Sequence, residues 1–118
     1  MGNYEFNRES RLLTPGHFKQ VFDNPTRYGS NHFTILIRTN TDQNNRLGMA
    51  IAKKRVKLAV QRNRIKRIVR ESFRINNDKL PAIDMVVMVK SGIDQLDNEA
   101  INLQLEKIWR KIIQRHKS

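Results

Sequence analysis

Hydrophobic positions along the chain change their period several times, and each change marks a new element. Phe18, Val21 and Phe22 fall at i, i+3 and i+4 within Gly16–Asp23, the spacing of one helix face. Thr14 can cap the free amides of the first turn, Pro15 suits the opening helical position, and Asn24-Pro25 ends the helix. The run Phe33-Thr34-Ile35-Leu36-Ile37-Arg38 is β-branched and aromatic and predicts a strand over 32–39 with apolar groups on both faces. A polar stretch over 40–45 predicts a turn, and Leu47–Ala52 then reads as the returning strand of an antiparallel hairpin. Arg27–Gly29 is compatible with a short extra strand, although three residues carry too little pattern to define one.

Further on, Ile65, Ile68, Val69 and Phe73 share one side of a helical wheel, and Asn63, Arg67, Arg70 and Arg74 share the opposite side. Arg62 falls near the apolar edge, so either the regular helix starts near Asn63 or this side chain reaches around it. Asp84–Lys90 holds the continuous apolar run of a strand buried on both faces. Asp97 to about His116 is an amphipathic helix, with Ile101, Leu105, Ile108 and Ile112 at i, i+4, i+7 and i+11. There is no internal repeat and no low-complexity linker. The order α, β hairpin, α, β, α predicts an α+β sandwich in which helices cover a sheet.

Composition narrows the function. A length of 118 residues with 38% hydrophobic content fits one domain spanning 1–118 with a modest core. Lys and Arg number 23 against 11 Asp and Glu, a net charge of +12 that implies a polyanionic partner. The lack of cysteine excludes disulfides, thiolate metal sites and thiol nucleophiles, and fits a reducing cytoplasm. No apolar run approaches the roughly 18 residues of a membrane span, and the first residues lack the apolar region and cleavage site of a secretory signal. A cytoplasmic protein without membrane contact is expected.

The charge is concentrated. Between Lys53 and Arg74 stand ten basic residues and one acid, Glu71, which together account for nine of the twelve net charges. A charge run is often only a solvated face, but solvated helices commonly mix signs at i, i+4, and like charges there repel. Arg67, Arg70 and Arg74 repel one another on this reading, so a bound polyanion that neutralises them is the simplest account. Arginine's planar fork suits phosphate oxygens and also stacks on bases, which favours nucleic acid over a lipid surface.

The segment Lys57-Leu58-Ala59-Val60-Gln61-Arg62-Asn63-Arg64-Ile65-Lys66-Arg67-Ile68-Val69-Arg70-Glu71-Ser72-Phe73-Arg74 resembles the RNR motif of the protein subunit of bacterial ribonuclease P. The resemblance extends to Arg11–Phe18, to Gly48–Lys54 with its Ala-Lys-Lys, and to Leu80–Val87, and so covers nearly the whole chain. It implies an α-β-β-β-α-β-α sandwich of the ribosomal protein S5 domain 2-like type, with a left-handed βαβ crossover at the RNR helix, where the general rule predicts a right-handed one. The implied function is to assist a catalytic RNA that removes the 5′ leader from precursor transfer RNA. By the same resemblance, Arg62, Asn63, Arg64, Lys66, Arg67 and Arg70 contact the catalytic RNA and nearby substrate phosphates. Lys53 and Lys54 extend that surface upstream, and Arg74 ends the stripe. A cleft between the first helix and the sheet would hold the single-stranded leader, mapping to Phe18, Phe22 and the strand around Leu36. Leu36 and Thr34 offer no ring where the family can carry an aromatic. Read alone, Phe18 and Phe22 are core anchors; with the resemblance, at least one is a partly exposed ring.

A protein nuclease needs a general base and acid, or carboxylates clustered around two metals about 4 Å apart. Asp42, Asp78, Asp84, Asp94 and Asp97 fall in predicted turns or at element ends, and His17, His32 and His116 are scattered without ligand spacing. No catalytic or metal-ligating residue is therefore assigned, and hydrolysis with its Mg²⁺ is left to the RNA partner that the resemblance implies. The expected partners are that catalytic RNA and precursor transfer RNA, with no obligate protein partner. Two readings compete: a ribosome-associated or DNA-binding module built on the same basic helix, and a protein-only nuclease.

Overall fold

The computed structural model describes residues 15–40 and 45–116. Its elements are helix α1 (Pro15–Asp23), strands β1 (Thr26–Gly29), β2 (Phe33–Thr39) and β3 (Arg46–Ala50), helix α2 (Ala59–Asn76), strand β4 (Ile83–Val89) and helix α3 (Asn98–His116). Short 3-10 turns at Asn77–Lys79 and Ile93–Gln95 flank β4. This is the expected α-β-β-β-α-β-α order. The capping role assigned to Thr14 and most of the turn over 40–45 lie outside the described residues.

The four strands form one mixed sheet in the order β1-β2-β4-β3. The expected hairpin between the strands at 32–39 and 47–52 is therefore wrong, because β4 lies between them. Six of the seven β4 residues are buried, so this strand needs cover on both faces and a partner on both edges. β2 supplies one edge antiparallel, with Leu36 opposite Val86, and β3 supplies the other parallel, with Leu47 opposite Met85. A parallel pair cannot be joined by a tight turn, and the chain from 51 to 82, with α2 inside it, makes the long connection. The hairpin that does form joins β2 to the short β1, with Tyr28 opposite Ile35 and Ser30 N–H donating to the Phe33 carbonyl at 3.0 Å.

Alternation along the strands divides the sheet into two faces. Ile35, Ile37, Leu47, Met85 and Val87 join the main core with Ile65, Val69 and Phe73 of α2 and the buried residues of α3. Trp109 lies in that core, meets Phe73 edge to face at 6.5 Å and donates its indole N–H to the buried Ser72 hydroxyl at 2.7 Å. On the other face α1 covers a small separate cluster of Val21, Leu36 and Val86.

Polar side chains fix the register where β2, β3 and β4 meet. Asp84, buried on β4, accepts from Asn40 Nδ2 and from Arg46 Nε, both at 2.8 Å. It stands opposite Arg38 on β2 and Arg46 on β3, so one carboxylate ties the end of β2 to the start of β3 across the central strand. Asn45 does the same for the chain leaving α2: its Nδ2 donates to the Asn77 carbonyl at 2.9 Å, and its Oδ1 accepts from Ile83 N–H at 3.0 Å.

Removing one partner of such a buried contact leaves the others desolvated. Asp84→Ala should lower unfolding stability by about 3 kcal/mol in urea titrations. Ser72→Ala, which orphans the indole N–H, should cost about 1–3 kcal/mol, read by the fluorescence of the single tryptophan.

Candidate nucleic-acid interface

Helix α2 begins at Ala59, four residues before Asn63, and Arg62 in its first turn reaches back. Its guanidinium donates to the carbonyls of Val56 at 2.9 Å and Lys57 at 2.8 Å, which accounts for its place at the apolar edge of the wheel. Arg64 is also turned to the fold. It donates to Gln61 Oε1 at 2.9 Å, Asn98 Oδ1 at 2.6 Å and the Leu96 carbonyl at 3.1 Å, binding α2 to the turn that leads into α3. The outer arginines of the RNR triplet thus brace the helix, and the residue between them, Asn63, is exposed.

Arg67 and Arg70 point outward from the middle of α2. Among the described residues neither has a hydrogen-bond or ion-pair partner. Arg74 differs from the expectation: it is not one of three uncompensated charges but pairs with Glu71, donating from Nε to Oε1 at 3.1 Å and from NH2 to Oε2. The i, i+3 spacing on a helix places the two side chains together. The hydrogen bond from Arg74 holds the Glu71 carboxylate below its ordinary range. The pair's contribution is present above the ordinary carboxylate pKa and is lost as pH falls through the depressed one. Glu71 is 55% exposed, so solvent screening keeps that contribution small.

Lys66 is half-buried on the flank of α2, while Lys53 and Lys54 are exposed in the turn after β3. That turn is closed by the Ala52 carbonyl, which accepts from Arg55 N–H at 3.0 Å and Val56 N–H at 3.1 Å. Val56 is buried, so the turn is anchored while the lysines stay in solvent. Lys57, exposed immediately after it, adds to this basic surface and was legible in the same charge run.

The α1 face carries the second candidate surface. Phe18 is half-buried against the Val21, Leu36 and Val86 cluster, and Phe22 stacks on it with ring centroids 6.4 Å apart and 20° between planes. Phe22 is 47% exposed, which makes it the available ring. Leu36 is only 2% exposed, so it floors the helix and offers no surface of its own, a correction to its placement in the cleft. Its neighbours on the same sheet face were not singled out from the sequence. Arg27, opposite Leu36 on β1, is exposed, and Arg38 donates to the Gln20 carbonyl at 2.9 Å, which ties α1 to β2.

The acids remain apart. Asp97 Oδ1 accepts from Ala100 N–H at 2.8 Å as a cap for α3, and Asp84 belongs to its buried pair. Among the described residues no group of three or more His, Cys, Asp or Glu comes together in a way that holds a metal ion.

Comparison with known proteins bears on the whole chain. The model of the family described as Ribonuclease P matches residues 6–113. A ribonuclease P protein component of Pseudoalteromonas translucida is 51% identical over 117 residues, covering 99% of this chain and 84% of its relative. Among solved structures, the ribonuclease P protein of Thermotoga maritima superposes with a TM-score of 0.76 at 28% identity, over 87% of this chain and 97% of that one. That of Staphylococcus aureus gives 0.80 at 24% identity, over 87% and 96%, a likeness of fold. With its family model matched almost end to end and a relative identical at half its positions, the chain belongs to the family of ribonuclease P protein components.

Proposed function

We propose that this chain serves the ribonuclease P ribonucleoprotein by holding the catalytic RNA along the outward side of α2 and the 5′ leader of precursor transfer RNA against the α1 face. The observation that carries the reading is the one-sided row of Asn63, Arg67 and Arg70, two of them cations without a partner among the described residues, on a helix whose opposite side is packed. A row of that kind favours a polyphosphate, whose charges it neutralises and whose counterions it releases. Lys53, Lys54 and Lys66 add to the same electrostatic surface, and Arg62 and Arg64 act by fixing the helix. At α1, Phe22 offers a face on which a base stacks without strict sequence reading.

Hydrolysis and its Mg²⁺ are assigned to the RNA. The protein's part is positional and electrostatic: neutralised phosphates lower the Mg²⁺ concentration needed to hold RNA and substrate together. Contacts made to the leader exist in the precursor and vanish in the product, which gives preference for the precursor. On this reading the chain works in the cytoplasm and needs no obligate protein partner.

The test is cleavage of a precursor transfer RNA at low Mg²⁺ by a bacterial ribonuclease P RNA, with and without this protein, beside a protein-only control. Stimulation only with both components is expected. RNA binding without stimulation would support the general nucleic-acid module instead, and cleavage by protein alone would support the nuclease. Within the complex, Arg67→Ala and Arg70→Ala should each weaken RNA binding and reduce the salt slope by about 1. Arg64→Ala should instead appear as lost thermal stability. Phe22→Ala should weaken binding of leader-bearing substrate and leave leaderless RNA unaffected; equal losses on both would contradict the division of surfaces.

A further inference from the structure

Between α2 and α3 runs an open groove of about 420 Å³, within the size range of small-ligand sites. Arg67 stands on its rim and belongs also to the outward cationic row, so the groove begins where that row ends. On the α2 wall Ile68 and Ile75, the latter 58% exposed, present apolar surface, and Glu71, paired with Arg74, stands among them. The facing wall, on α3, is polar and consists of Asn98, Glu99, Asn102 and Glu106. The Arg64 guanidinium fixes Asn98 at 2.6 Å, and Asn102 Nδ2 donates to Glu106 Oε2 at 3.3 Å.

A phosphate does not suit a wall that bears a carboxylate. A flat, partly apolar group with N–H donors on its edge does: the isoleucines take its face, and Glu106 and Asn102 accept from its edge. An unpaired nucleobase has that chemistry, and proteins that read RNA recognise splayed-out bases through their faces and Watson–Crick edges. Guanine fits the acceptors best, because its ring N–H and exocyclic amino group lie side by side and match the two oxygens of a carboxylate.

We propose that the α2–α3 groove holds one unpaired base of the bound RNA, guanine by preference, with Arg67 on the adjoining phosphate. The proposal rests on the reading that α2 contacts RNA.

Charge separates this role from a passive one. A glutamate that only faces RNA repels it, so removing its charge strengthens binding; a glutamate that accepts from a base loses binding when neutralised. Glu106→Gln is therefore expected to bind ribonuclease P RNA about tenfold more weakly, at unchanged thermal stability. Asp78→Asn removes the same charge from an exposed carboxylate that does not line the groove, and should show no loss.

In parallel, the RNA is probed with a glyoxal reagent that modifies the Watson–Crick edge of unpaired guanine. Wild-type protein should protect one guanine that Glu106→Gln and Asn102→Ala leave reactive, with backbone protection otherwise retained. Equal or tighter binding by Glu106→Gln, or the same guanine protection with every variant, overturns the proposal, and is also the result expected if the groove takes a polyamine or a basic peptide. Absence of any binding by the wild-type protein overturns the parent reading along with this one.

Discussion

The fold depends on where β4 is inserted. A seven-residue strand with almost no exposed surface is stable only at the centre of a covered sheet, and it takes β2 on one edge and β3 on the other. Once β3 pairs with it in parallel, the chain between them must travel the length of the sheet and return. Helix α2 is that return path. Its apolar side is drawn onto the sheet by Ile65, Val69 and Phe73, and its opposite side leaves Asn63, Arg67 and Arg70 in solvent. Asp84, bonded to both Asn40 and Arg46, sets the register at which this happens.

Within α2 the basic residues divide by what their side chains touch. Arg62 and Arg64 reach toward backbone carbonyls at the start of the helix and at the approach to α3, and they hold α2 at both of its neighbours. Arg74 is held by Glu71 one turn away. Arg67 and Arg70 in between are left facing solvent. The helical part of a charge run that looks uniform in sequence is thus braced toward its ends and open in its middle, and a rigid display of cations suits a fixed polyanion better than a mobile one. On the proposed reading, that is where the RNA backbone lies.

The helices were legible because each one covers a single side of the sheet and so keeps its period. Ile101, Leu105, Ile108 and Ile112 are all buried in α3, and the apolar residues expected for α2 face the core. Strand pairing was not legible, since an apolar run such as 83–89 identifies a buried strand without saying which neighbours it takes. β1 was equally hidden: its four residues alternate in burial and are specified by the partner Phe33–Thr39 more than by their own pattern. The division among the arginines was invisible for another reason. Whether a guanidinium meets a carbonyl thirty residues away, as Arg64 does at Leu96, is decided by the packing of α2 against α3, which no local window contains. The resemblance to a known family implied the order of elements along the chain, the third strand included, but it placed Leu36 at a surface that α1 covers.

The two faces of the sheet are very unequally filled. Beneath α2 and α3 lies the main core, with Trp109 and Phe73 within it, whereas α1 sets its Val21 and Phe18 on Leu36, Val86 and Met88 of the sheet and is tied, among the described residues, by a bond from Arg38 to Gln20. Free energies of local opening follow the apolar area that each element buries. Helix α1 is therefore the element that detaches first, its amides exchanging with solvent hydrogen through openings that leave the sheet and the other two helices closed. The aromatic pair sits on a part of the molecule able to reposition on its own, while the cationic row is fastened to the part that unfolds last.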